Sequence, residues 1–168
     1  MSHPLVDQLR FTRREWLRGL EGVSEEGATR HFGPMNCISW NVGHLAWHEQ
    51  RYWLQFAQGK IPHPDLNTVY AFGAPMSTPS LGEMMKIWHT VNGEVEPFLE
   101  SLTGAGMEAD LLREGKSVGQ TVGSAMQRII YHYWYHIGEI QAIRQMSGDS
   151  DLPVYVGDLE GEAPYRTA

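Results

Sequence analysis

The sequence predicts an all-α fold: a four-helix bundle with a long crossover between helices 2 and 3. Three observations lead there. Four segments place apolar residues at helical spacing. The link between the second and third is about twenty residues, enough to return the chain to its starting end. No stretch alternates convincingly enough to be a strand, and Leu152–Val156 is short and carries Pro153. The 168 residues fit one domain, 1–168, whose last stretch, about 149–168, is an extended tail.

The first helix spans about Ser2 to Leu20. Ser2 is a cap, Pro4 is tolerated in the first turn, and Leu5, Leu9, Thr12, Trp16 and Leu20 share a face. Residues 23–38 carry Gly27, Gly33 and Pro34 and read as loop with one helical turn. Ser39 is the expected cap of a second helix that ends near Gln58, with Gly59 as its stop. Residues 59–79 hold four prolines and form the crossover or a lid. Ser80 and Glu83 have capping-box spacing and start a third helix that ends near Thr103, with Pro97 inside it as a kink. Residues 104–119 read as irregular. Thr121 caps a fourth helix running to Ser147, where Gly148 stops it.

Composition narrows the function. Net charge is -7 and the pI about 5.6, which argues against a phosphate-backbone partner or an anionic membrane surface. No run approaches the ~18 apolar residues of a membrane span. The N-terminus lacks the basic and apolar regions of a signal peptide. The single cysteine, Cys37, cannot form an internal disulfide, so the expected compartment is the cytoplasm and the thiol a buried, inert one.

Eight histidines are the main chemical signal. His132 and His136 fall within the apolar stripe Val122, Met126, Ile129, Tyr133, Ile140 and Ile143 of the fourth helix. Four residues apart, they point into the same volume, as two ligands of one ion do. An unpaired ring nitrogen in a core costs about 1–3 kcal/mol, and a metal that takes neutral imidazole removes that cost. Hydrogen bonds to carbonyls or water would do so too. The second helix repeats the step with His44 and His48, and periodicity leaves open which of them joins. The residue after His132 is tyrosine, so the glutamate base of a metalloprotease motif is absent. Glu139 is an ordinary surface residue unless it serves in one of two roles, as a further ligand or as an acceptor that orients a ring N–H, and Glu49 is expected to be solvated. His3, His31, His63 and His89 read as surface or packing residues. Trp40, Trp47, Tyr52, Trp53, Tyr131, Tyr133, Trp134 and Tyr135 fill the core or flank the site, where a tyrosine hydroxyl could act as a donor.

Ser39-Trp40-Asn41-Val42-Gly43-His44-Leu45-Ala46 resembles the second-helix motif of the DinB/YfiT-like superfamily. Tyr131-His132-Tyr133-Trp134-Tyr135-His136-Ile137-Gly138-Glu139-Ile140 resembles its last-helix motif. Residues 142–148 and 152–157 also fit members of that group. The resemblance implies a four-helix bundle with the long second-to-third connection. It implies a metal held by one histidine of the second helix and two of the last, here His44, His132 and His136, with His48 lining the pocket or supporting the ligands. It also implies dimers and a range of activities: mycothiol- or bacillithiol-dependent transferases and isomerases, and the N-terminal bundle of the iron-dependent sulfoxide synthases that make ergothioneine.

The resulting expectation is an enzyme whose divalent ion (zinc, nickel or iron) activates a low-molecular-weight thiol, as cosubstrate, or a bound water against a small electrophile. It would be a thiol S-transferase or a hydrolase working on a small-molecule substrate as a homodimer. The alternative is a non-catalytic metal-binding bundle, a sensor or assembly module. Haem fits less well, because ligands adjacent on one helix suit a compact ion.

Overall fold

The computed structural model describes residues 2–167. Four long helices form its frame: α1 (Pro4–Leu20), α3 (Ile38–Glu49), α5 (Leu81–Ser101) and α7 (Val122–Ser147). Short helices punctuate the links: α2 (Glu25–Thr29), α4 (Leu66–Val69), α6 (Gly104–Glu108) and α8 (Leu159–Glu162). The α3 rod continues as a π-helical segment, Gln50–Phe56, and Gly59 at φ 69° lies just beyond it. In the packing, α3 lies mainly against α5 and α1 against α7, while α3 also meets α7. The protein is all-α apart from one small hairpin. No helix of the described residues is long and apolar enough to cross a membrane.

Every residue of α3 is buried. A helix enclosed on all sides has no polar face, so its apolar pattern shows little periodicity. For that reason spacing alone could not choose between His44 and His48. It also means that each polar side chain of α3 needs a partner inside the protein.

Local signals place most boundaries. Ser80 Oγ accepts from Glu83 N–H and Thr121 Oγ1 from Ser124 N–H, while Gly148 takes φ 91° behind α7. The α5 helix runs through Pro97 to Ser101. Two expected caps are corrected. At α1 the cap is His3, whose Nδ1 accepts from Leu5 N–H, while Ser2 Oγ donates to Asp7. At α3 the cap position is Cys37, and Ser39 lies inside the helix against the Cys37 thiol.

The stretch 104–119 is not irregular. After α6 it forms an antiparallel pair, β1 (Asp110–Arg113) and β2 (Lys116–Thr121). Glu114 and Gly115 both take positive φ, 52° and 76°, as a two-residue hairpin turn of the primed type requires. Both strands are largely exposed, with Leu111 the one fully buried position in β1. With one fully buried position between its two strands, the hairpin carries no apolar alternation, and so the sequence shows none.

Candidate metal centre

Three imidazoles converge where α3 meets α7. His44 Nε2 lies 3.2 Å from His132 Nε2, and His136 Nε2 lies 3.0 Å from the same atom. All three nitrogens fall within 4.8 Å of one another. His44 and His136 are buried and His132 is half-buried.

The outer nitrogens fix the tautomers. His44 Nδ1–H donates to the Tyr70 carbonyl at 2.6 Å, and His136 Nδ1–H donates to Glu139 Oε2 at 2.5 Å. A carbonyl and a carboxylate only accept, so both Nδ1 atoms carry the proton. In the neutral rings both Nε2 atoms then present lone pairs to the centre. Burial alone would raise the Glu139 carboxyl, but His136 and Tyr135 together outweigh it and hold it below the usual carboxylate range. Glu139 thus acts as the acceptor that orients a ring, one of the two roles the sequence left open.

Packing sets the ring planes. Trp40 stacks on His44 at 4.9 Å and 14°. Gly43 lets Tyr70 approach α3, because a Cβ there would meet the Tyr70 ring and the Met84 sulfur at 2.8 Å. That approach brings the Tyr70 carbonyl onto His44. Tyr70 follows α4 in the crossover, which is pinned at two further points. Trp47 Nε1–H donates to Asn67 Oδ1, and the Gln50 side-chain amide pairs with both the N–H and the carbonyl of His63. The long connection is therefore an anchored crossover that delivers a carbonyl to the site.

Burial pushes His44 down to about 4, more than offsetting the raising effect of the Tyr70 bond. Burial, with the facing His136 and His44 rings, pushes His132 down to about 3. Three imidazoles crowded around one point, with Nε2 atoms free to offer lone pairs in their neutral form, are the donor set that a divalent cation accepts. A tetrahedral ion with bonds of about 2.0–2.1 Å holds its nitrogens ~3.3 Å apart, close to the two separations observed. The cluster is compatible with metal binding.

A model of the DinB superfamily matches residues 8–140. The chain belongs to the DinB superfamily. The match spans α1 to most of α7 and takes in all three converging histidines. No curated protein matches the chain.

In this DinB-superfamily chain His48 does not join the trio. Its ring sits 4.1 Å from that of His132, centroid to centroid, and its buried Nδ1 has no partner among the described residues. Burial, then the facing His132, holds it well below the usual histidine range. His132 Nδ1 is likewise without a partner. The remaining histidines lie outside the cluster: His31 bridges the Met35 carbonyl and Thr78, and His89 packs edge-on against Trp88.

Glu49 is not solvated. It is fully buried and takes a two-pronged bond from Arg13, Nε and Nη2 each at 2.8 Å. No spacing signal links residues 36 apart on different helices, so only packing reveals the pair. Cys37 is buried, its Sγ against Ser39 and the Ser77 carbonyl.

Beside the trio opens a cavity of about 690 Å³. His44, His48 and His132 form its floor, and Trp47, Tyr52 and Tyr131 are among its walls. The sequence reading placed aromatics near the histidines but missed Arg51, Arg128 and the 91 % exposed Phe72 at this opening. Arg128 was detectable, since it precedes His132 by the same four residues that separate His132 from His136.

Proposed function

We propose that the chain binds a divalent metal ion through the Nε2 atoms of His44, His132 and His136, and transfers a low-molecular-weight thiol, or water, to a small electrophile. The observation that carries this reading is the convergence of three imidazole nitrogens, two with lone pairs held inward by their partners, beside an open cavity that His44 and His132 line. Three protein ligands leave positions free for an exogenous group, as catalytic sites require. The donor set suits zinc, nickel or iron.

A bound divalent ion supplies Lewis acidity that lowers the pKa of a thiol or water held against it. The chain supplies the rest. Tyr70 and Glu139 hold the tautomers that keep Nε2 available, and Trp40 holds the His44 plane. The wall residues Trp47, Tyr52 and Tyr131 shape an apolar approach for an organic substrate.

Elemental analysis of purified wild type, His44→Ala and His132→Ala tests the ligands. Wild type should hold about one ion per chain and each variant far less. Equal metal in all three would remove the assignment. Conjugation of thiols to model electrophiles, with and without chelator, tests the chemistry. Metal-dependent turnover supports the transferase, whereas bound metal with no turnover makes the chain a metal-binding module.

A further inference from the structure

The charge around the cavity beside the trio is opposite in sign to that of the chain as a whole. The protein carries a net charge of -7. Yet the residues lining this cavity include two arginines and no aspartate or glutamate. Arg10, Arg13, Arg14, Arg18, Arg144 and Arg166 pair with carboxylates, whereas Arg51 and Arg128, like Arg30 and Arg113, form no ion pair among the described residues.

Their placement follows from the two helices that build the floor. His44 faces His136 with centroids 5.1 Å apart, and His48 faces His132 at 4.1 Å. Residue numbers rise along α3 as they fall along α7, so the two rods run antiparallel and the rings form successive rungs of a ladder. The next rung outward is Arg51 from the π-helical segment and Arg128 from α7. Each lies three or four residues beyond its histidine, about one turn or ~5–6 Å along the axis. Arg51 is held without a counter-charge: its guanidinium lies 5.2 Å from the Trp47 ring and 5.3 Å from the Phe56 ring. Ser124 continues the α7 stripe one turn beyond Arg128 and adds a hydroxyl to the same wall.

We propose that Arg51 and Arg128 form a carboxylate-binding rim, so that the site accepts a small organic acid whose carboxylate lies about one helical turn from its reacting atom. Guanidinium forks match the geometry of a carboxylate and favour it over a neutral isostere. The orientation is thereby set. The carboxylate docks at the rim, and the reacting atom reaches the histidine floor some 5–7 Å below. A cation on the trio would add to the same field and strengthen the preference for anions. The reacting end of this inference rests on the metal reading above, while the rim itself does not.

The test uses paired probes that differ only in charge. Cobalt-loaded protein is titrated with 3-mercaptopropionate and with 3-mercaptopropionamide, following the thiolate-to-cobalt absorption. Chelator-treated protein is titrated with succinate and with succinamide, following tryptophan fluorescence. The acid should bind on the order of tenfold more tightly than the amide in at least one arm, and Arg51→Gln/Arg128→Gln with wild-type circular dichroism should lose that preference. A preference confined to the thiol arm puts the carboxylate on the thiol; one seen with succinate puts it on the second substrate. Equal affinities in both arms, or a preference that survives in the double variant, overturn the rim. A chain that takes up no cobalt refutes the metal reading, and the succinate arm still decides the rim.

Discussion

Two buried polar clusters meet on α3, one residue apart. On one side Glu49 receives both prongs of Arg13, with Glu96 adding a longer contact to the same guanidinium at 3.4 Å. Burial works against the Arg13 charge, and the Glu49 carboxylate more than offsets it, holding the guanidinium above its usual range. On the other side His48 and His132 keep buried nitrogens without partners among the described residues, and three Nε2 atoms converge beside an open cavity. The first cluster is closed upon itself and needs nothing from outside. The second is satisfied only by something that arrives. Buried polarity alone therefore does not mark a functional site. What marks it is polarity left incomplete beside a cavity.

The comparison can be broken from either side. The largest effect is expected in the closed cluster. Arg13→Met leaves Glu49 buried and unpaired and should cost about 3–5 kcal/mol of stability in urea denaturation. A loss below about 1 kcal/mol would show that the pair is not a structural unit. In the open cluster, Glu139→Ala frees the His136 ring and should weaken metal binding by about 10–100-fold in competition titrations. Stability of that variant without metal should change little, because Glu139 is half-buried at the edge of α7. If Glu139→Ala instead destabilises the metal-free fold as Arg13→Met does, the distinction between the two clusters fails.

The smallest effect is a pH slope. In the metal-free protein His44 and His132 stay neutral down to about 4 and 3. The unfolded chain takes up those protons near pH 6.5. Between that pH and about 4 the unfolded state thus binds more protons, and stability falls as pH falls. His132→Leu removes one of the two groups and should have a shallower slope across urea midpoints at pH 7.5, 6 and 5. Parallel slopes would mean that His132 is not held neutral by its surroundings.

Much of this was legible in the sequence because it is local. The caps Ser80 and Thr121, the stop at Gly148, the stripe of α7 and the four-residue step of His132 and His136 all follow from backbone geometry and helical period. The largely exposed hairpin was hidden because a single buried position, Leu111, makes no apolar alternation. The α3 histidines were ambiguous because a fully enclosed helix has no polar side to give it phase. Placing His44 in the trio took the motif resemblance, and its carbonyl partner at Tyr70 lies 26 residues away in a proline-rich crossover.

By itself the sequence determined the four rods, most of their ends and the fact that two imidazoles on the last rod share one direction, since these depend on neighbours within a few residues. Tertiary structure alone decided that the Tyr70 carbonyl meets His44, that Glu49 turns to Arg13, and that Arg51 and Arg128 line the cavity without ion-pair partners among the described residues. Those outcomes depend on how antiparallel rods register against each other, and that register is set by packing between residues dozens of positions apart.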